Sequence, residues 1–354
     1  MNSWEKQWPP TPLPGARVLP WLLDRPAPVP DAGTAGIAVR IRSRGGDVVQ
    51  FPKRFTVGID DRPLWWGLGR MIAVVEPGEH LVEVRGRLAV ESTRRVRVAA
   101  GEIVELDFWT PAASSGSNTR GVLVPAPGKR RPGTGRYLVW GWLAAIALMP
   151  LLTLLGVPLN GFTLALLAVP VVAAVLAIWW KRRGDREYRV AASAEAAAEA
   201  GRNDAAGWFL GDAEPPAHLL EGTADGLLVV TGTHALERTR NGLRDRNHVD
   251  ENGWVPWPEL TVDGQQRPLS WQTWCYRLPP GEHDVTFTVR PPRPAAERFA
   301  AEQVTRRVTV TAGRVTRLGL HVAARVVTRS AYANPEAYAE ITGFTVTTSC
   351  TARS

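Results

Sequence analysis

Two hydrophobic patterns run along this chain. The first is a short alternation. Val82 and Val84 alternate with Glu83 and Arg85, and Val285, Phe287 and Val289 alternate with Thr286 and Thr288. Val96 and Val98, then Leu106 and Phe108, continue it, as do Val308 and Val310, then Leu318 and Leu320. Successive side chains of a strand point to opposite faces, so period two predicts strands with one buried and one wet face. Pro-Gly and Ala-Gly pairs lie between these runs as turn formers. Ile37 to Ile41 and Leu227 to Val230 read as earlier strands of the same units. The expectation is two small antiparallel β-sandwiches.

The second pattern is an uninterrupted apolar stretch. No Asp, Glu, Lys or Arg occurs between Tyr137 and Trp180. Residues 137–155 and 162–180 are each close to the ~20 residues that cross ~30 Å of hydrocarbon. Backbone groups there can pair only within their own segment, which predicts two transmembrane helices. Pro150 and Pro170 are expected to kink them, and Gly156, Pro158, Asn160 and Gly161 to supply the turn. Lys129, Arg130, Arg131 and Arg136 precede the first span; Lys181, Arg182, Arg183 and Arg186 follow the second. The turn carries no charge. The positive-inside rule then predicts a two-pass protein of the inner (plasma) membrane with both termini cytoplasmic. The eight basic residues would meet anionic lipid head groups, and Tyr137, Trp140, Trp142, Trp179 and Trp180 would anchor the hairpin at the interface.

The soluble parts repeat one another. Ile59-Asp60-Asp61 and Glu76-Pro77-Gly78-Glu79-His80 recur at Val262-Asp263-Gly264 and Pro279-Pro280-Gly281-Glu282-His283, offset by 203 residues. Further on, residues 93–101 match residues 305–313 at an offset of 212, with seven of nine pairs identical. Copy two therefore carries nine extra residues, placed near Pro291 to Ala296. An Ile/Val-Asp strand end, a later Pro-Gly-Glu-His turn and a closing Val-x-Val-x-Ala-Gly hairpin together resemble the PEGA-type and transthyretin-like β modules of bacterial surface and membrane proteins. The likeness covers roughly residues 36–110 and 225–325. It implies a non-catalytic binding or spacer module and names no ligand. Both copies depart from the pattern: Arg62-Pro63-Leu64-Trp65-Trp66 and Arg267-Pro268-Leu269-Ser270-Trp271 stand where a glycine-rich Thr-Pro segment is usual.

The fold class expected is thus mainly β with a transmembrane α-helical hairpin. A Pro-rich extension (1–35) would lead into module one (36–112), a basic linker (113–136), the hairpin (137–180), a juxtamembrane Ala-rich helix and linker (181–224), module two (225–325) and a C-terminal extension (326–354). Residues 343–349 in that extension offer a further edge strand. The prolines at 9–14 read as a polyproline segment, a linker or a strap lying on module one.

Charge sharpens the picture. The first 136 residues hold 20 Lys/Arg against 13 Asp/Glu, and the last 174 hold 22 against 21. The excess forms no basic stripe with interleaved aromatics, so nucleic acid is not expected. The bias toward Ala, Arg, Gly, Pro and Val fits a GC-rich bacterial genome. The two cysteines, Cys275 and Cys350, match no metal spacing, and their pairing is open. Asp245, Asn247, Asp250 and Asn252 fail the calcium-loop spacing, because Val249 falls on the fifth position. Gly121 to Lys129 fails the phosphate-loop spacing. His80 and His283, and Asp60 and Asp263, repeat with the fold and read as turn residues. No cofactor, metal or catalytic constellation is expected. The tryptophans are the unusual feature. Trp254 and Trp257, with Trp65 and Trp66, are the candidate aromatics for a partner.

The leading expectation is a non-catalytic membrane protein whose modules bind or scaffold an unknown protein, with a homo-oligomer as one form open to it. One alternative is an envelope polysaccharide-binding protein with modules facing the exterior. Another is an enzyme whose site the sequence does not display.

Overall fold

The computed structural model describes residues 9–21, 31, 33–42, 55–86, 90–109, 121–127, 207–221, 224–245, 250–330 and 339–353, with separate helical positions between 143 and 195. In chain order the first strands are β1 (Thr11–Pro12), β2 (Val18–Pro20), β3 (Ala35–Arg42), β4 (Thr56–Ile59) and β5 (Arg62–Trp66). Then come β6 (Gly69–Val75), β7 (Gly78–Arg85), β8 (Val90–Val98), β9 (Ile103–Trp109) and β10 (Val122–Pro125). They form two sheets, ordered β1-β5-β4-β7-β8 and β10-β9-β3-β6-β2.

The later strands are β11 (Trp208–Gly211), β12 (Gly226–Arg240), β13 (Leu243–Arg244), β14 (Glu259–Val262) and β15 (Gln265–Arg267). β16 (Thr273–Leu278), β17 (Gly281–Val289), β18 (Glu302–Val310), β19 (Val315–Ser330) and β20 (Ala339–Arg353) follow. Their sheets run β11-β16-β12-β19-β20, with β13 beside β12, and β15-β14-β17-β18. Strand for strand this is the first module again: β2, β6, β3, β9 and β10 correspond to β11, β16, β12, β19 and β20.

One expectation about pairing needs correction. The modules are not wholly antiparallel: β3 runs parallel to β9, and β12 runs parallel to β19. The chain leaves β3 for the β4–β5 hairpin of the opposite sheet, returns for β6, crosses again for the β7–β8 hairpin and comes back beside β3 in the original direction as β9; β12 to β19 repeat this path. A parallel pair needs such a crossover.

The inner faces are the alternating positions read from the sequence. Ile37, Val39, Ile41, Val57, Val82, Val84, Val96, Val98, Leu106 and Phe108 close around Trp65 in module one. Leu228, Val230, Leu260, Val285, Phe287, Val308, Leu318 and Leu320 close around Trp271, Trp274 and Tyr276 in module two. The proline-rich N-terminus is a strap: Thr11 pairs with Trp66 on one sheet of module one, and Leu19 pairs with Ile72 on the other.

The membrane hairpin is the larger correction. No helix among the described residues is long and apolar enough to cross a membrane. Between 137 and 180 the described positions are Leu143, Ala147, Pro150, Leu154, Val172, Val175, Leu176 and Trp179, each helical, and the rest of that stretch lies outside the described residues. Hydropathy reads composition, whereas a span requires ~20 consecutive residues of one helix. The sequence of this stretch includes the helix-weakening residues Pro150, Gly156, Pro158, Gly161 and Pro170. The two-pass topology, and the inner-membrane placement drawn from it, are set aside.

Candidate functional site

Alternation alone predicts a wet outer face for β7. Instead Glu83 is 0% and Arg85 1% exposed. The period-two pattern holds, but a second structure covers the polar side: the segment 253–257 from module two. Leu81 and Val90, on the same outer face, join the core of module two.

The junction is built on a few contacts. Trp254 donates its indole N–H to Asp61 Oδ1 at 2.9 Å. The backbone N–H of Trp257 donates to Asp61 Oδ2 at 3.1 Å, and its indole N–H donates to Glu83 Oε2 at 3.1 Å. Arg85 donates to the carbonyl of Val255 at 2.6 Å and to Glu83 Oε2 at 2.8 Å, and lies 3.4 Å from Asp61 Oδ1. Its guanidinium carbon sits 3.6 Å from the centroid of the Trp254 ring, a cation–π stack inside the interface. The Val255 carbonyl also accepts the Trp271 indole N–H at 3.3 Å, so one carbonyl is held from both modules.

Local sequence explains how the socket forms. β4 and β5 join through the two-residue turn Asp60-Asp61, and β14 and β15 through Asp263-Gly264; all four residues have positive φ. Such turns match the twist of a hairpin and favour glycine at the second position. Copy two has Gly264 there, at φ 78°. Copy one has Asp61 there, at φ 59°, one of the few side-chain types besides glycine that the left-handed region admits. Its carboxylate is what receives both tryptophans. Beside it, Gly58 leaves the room that the Trp254 ring fills: a Cβ at 58 would come within 2.4 Å of Cη2 of that ring. The copy-two counterparts of Gly58, Asp61, Glu83 and Arg85 are Thr261, Gly264, Thr286 and Thr288. One copy carries the socket and the other does not.

The turns themselves are locked identically. His80 Nδ1 lies 2.6 Å from Asp60 Oδ2 and its Nε2 2.7 Å from the Glu76 carbonyl. His283 Nδ1 lies 2.6 Å from Asp263 Oδ2 and its Nε2 2.8 Å from the Pro279 carbonyl. With an acceptor at each ring nitrogen, the doubly protonated imidazolium is the form that fits. The Asp60 hydrogen bond raises the His80 pKa against opposing burial. Burial lowers that of His283, but the Asp263 bond and the Pro279 carbonyl outweigh it and the net shift is upward.

Two carboxylates share one guanidinium at the junction. Burial is the largest influence on Asp61; Glu83 adds to it, Arg85 and the Trp254 and Trp257 hydrogen bonds oppose it, and the pKa is raised to about 6. Asp61 thus titrates near neutrality inside a contact between modules.

The segment that carries the tryptophans is pinned from module two. Arg238 and Arg240 on β12 reach Asp245 at 3.2 and 3.1 Å, and Arg238 reaches Asp250 at 2.9 Å. Asp250 Oδ1 in turn accepts the Gly253 N–H at 3.1 Å. The acids that hint at a calcium loop in sequence are therefore held by arginine. Among the described residues no group of three or more His, Cys, Asp and Glu is arranged to hold a metal.

The candidate aromatics are placed differently from expectation. Trp65 is wholly buried in the core of module one, and Trp254 is buried in the junction. Trp66 and Trp257 are half-buried. Indole rings are efficient core fillers, and Trp65, Trp254 and Trp257 pack against the protein's own cores. Trp179 is exposed, with the Arg183 guanidinium 6.0 Å from its ring and Arg183 paired to Glu187 at 3.0 Å. Arg186 is helical and exposed. Lys129, Arg130, Arg131, Arg136, Tyr137, Trp140, Trp142, Trp180, Lys181 and Arg182 lie outside the described residues.

A second feature is an open sheet edge. Among the described residues the four sheets end in eight edge strands. β1, β2, β10, β11 and β15 are two to four residues long. β8 and β18 have nine residues each but carry charges, Arg94, Arg95 and Arg97 on the one, Arg306 and Arg307 on the other. β20 has fifteen residues and no charge between Glu340 and Arg353; its start is covered, where Arg298 donates to Glu340 at 2.5 Å and to the Ile341 carbonyl at 2.6 Å. Proteins normally blunt long edges with charge, proline or brevity. A bulge at Thr342 is the one interruption, and residues 343–353 then run in unbroken register along β19. Thr345, Thr347 and Ser349 are exposed, while Phe344, Val346 and Cys350 pack half-covered against the module core.

Comparison with known proteins adds little. No family model and no curated protein matches the chain. Among solved structures it is similar to the Bacillus anthracis TIE protein, at 9% identity and a TM-score of 0.17, over 91% of this chain and 43% of that chain. The chain spans less than half of that protein's length, and a likeness this slight carries no argument.

Proposed function

We propose that the chain is a non-catalytic, protein-binding scaffold. Its two copies of one β-sandwich are clasped together through Asp61 and Trp254, and the pair presents the β20 edge to an incoming strand. The observation that carries this reading is the long uncharged edge itself. Unpaired backbone donors and acceptors along such an edge are the template that strand addition uses. The clasp supports it by fixing the two modules relative to each other. The resemblance of each copy to PEGA-type and transthyretin-like modules is in keeping with a binding or spacer role.

The test is a titration of the chain with fluorescent ten-residue peptides of alternating Thr and Val. Saturable binding is expected, with slowed amide exchange confined to β20, and it should be lost in Thr345→Lys/Thr347→Lys. Peptides that leave β20 exchange unchanged would sink the reading.

A further inference from the structure

The geometry points to a second copy of this chain as the strand that β20 takes, paired antiparallel through a two-fold axis. This rests on the strand-addition reading and names its partner.

Three observations lead there. First, the duplication supplies an internal control. In module one the corresponding edge, β10, is four residues long and ends at Pro125, whereas in module two it is fifteen residues without a proline. The same architecture is closed at one edge and left open at the other.

Second, two copies of one edge related by a two-fold axis normal to the sheet run antiparallel, and the stretch Thr342 to Ala352 carries no charge to oppose itself in that pairing. Direct cross-strand neighbours share a sheet face, so a two-fold axis normal to the sheet must pass midway between the two copies of one residue. With Thr347 on that axis, Thr345 faces Ser349 of the second copy and Thr347 faces Thr347. Hydroxyl pairs of this kind are favourable cross-strand neighbours. On the other face, Val346 meets Thr348 and Phe344 meets Cys350.

Third, the inner side of the edge is unfinished. Phe344, Val346 and Cys350 are only half-covered although they touch the core of module two. Their counterparts from a second copy would extend that core across the axis. The resulting interface is isologous and closes at two copies.

Sedimentation velocity on the full chain tests this. A concentration-dependent doubling of mass is expected. Thr345→Lys/Thr347→Lys and Thr345→Glu/Thr347→Glu should each raise the dissociation constant at least about tenfold, because either axis position, at Thr347 or at Val346, opposes like charges. Mixing the two variants should restore a dimer containing one of each, seen by native mass spectrometry, which also shows that both variants fold. A parent chain that stays monomeric at about 0.1 mM overturns the second copy. If that monomer still binds the Thr/Val peptides on β20, strand addition stands and its partner is another protein. If it binds none, both readings fall together.

Discussion

Trp254 gives its indole N–H to Asp61 at 2.9 Å while its six-membered ring occupies the space above Gly58. The two residues lie 193 positions apart in the chain. The contact is specific to one copy of the repeat, because the other copy has Thr261 and Gly264 at the positions of Gly58 and Asp61. Trp254 also stacks on Arg85, so removing the ring takes away a hydrogen bond and a cation–π contact to a buried guanidinium.

Trp254→Ala should therefore behave as a large-to-small core substitution, costing about 3–5 kcal/mol. Chemical denaturation followed by tryptophan fluorescence measures it. A loss under about 1 kcal/mol would mean that the clasp contributes little.

The same contact can be broken from the other side. Gly58→Thr installs the residue that copy two uses, and its Cβ would fall within 2.4 Å of the Trp254 ring and 2.8 Å of the Arg62 carbonyl in its own hairpin. Gly58 has no left-handed φ, so the clash is steric alone. Displacement of the 253–257 segment is expected, with new protease cleavage there. The reciprocal Thr261→Gly changes a β14 residue paired with Gln266 and Thr286 and should leave the cleavage pattern as in the parent.

Asp61 makes the clasp sensitive to pH. Its folded pKa is about 6 against an ordinary 3.8, with burial as the largest cause. Between those values the folded chain holds a proton that the unfolded chain has released, so stability falls as pH rises through that window. The full shift corresponds to roughly 3 kcal/mol. Asp61→Asn cannot ionise and keeps a carbonyl for the Trp254 N–H. Relative to the parent it should gain stability progressively from about pH 4 to pH 6.5. Parallel stability curves for the two proteins would refute the assignment.

How much of this was legible beforehand depends on which force fixed each part. The strands and their repeat were legible because a sheet with one buried face must alternate, and Val82, Val84, Val285 and Phe287 do. The turns were legible through Asp-x and Pro-Gly. The parallel pairs β3–β9 and β12–β19 were not, since alternation says nothing of direction. The burial of Glu83 and Arg85 was also hidden, because it is imposed by a segment 170 residues away. One signal was present: Glu83, Arg85 and Asp61 replace Thr286, Thr288 and Gly264 across an otherwise matching repeat. A charge cluster confined to one copy marks what that copy does alone. The apolar run at 137–180 predicted two spans from uncharged composition, and no helix among the described residues is long and apolar enough to be one.

The twin histidine locks give a second pH window of opposite origin. Both imidazoles have raised pKa values in the folded chain, through Asp60 for His80 and through Asp263 and Pro279, against burial, for His283. A raised base stabilises the fold while protonated, so this contribution is complete below about pH 6.5 and fades as pH climbs through the folded values. His80→Ala and His283→Ala should each cost about 1–2 kcal/mol at pH 6 and less at pH 9. NMR titration of the two imidazoles checks the direction independently. A resonance that titrates below the ordinary range would contradict the lock.

The cysteines offer a reading of the β20 edge in solution. Cys275 lies on β16, buried against Leu210, Leu219, Leu227 and Val229 on the outer side of its sheet. Cys350 lies on β20 and packs toward the inner core. Two strands separate them, which is about 14 Å, well beyond what a disulfide can bridge. Both are free. Burial pushes the Cys275 thiol up to about 12, with Arg277 and Arg317 pulling only weakly the other way. At pH 8 its thiolate fraction is on the order of 10⁻⁴, and the thiolate is the reactive form. Cys350 is less buried and shifted upward for the same reason. A maleimide should therefore modify one thiol in the native chain, Cys350, and two in urea. Because Cys350 sits on the open edge, its labelling should slow as protein concentration rises and β20 becomes covered. A rate independent of concentration, in a chain that sediments as a dimer, would place the dimer contact elsewhere.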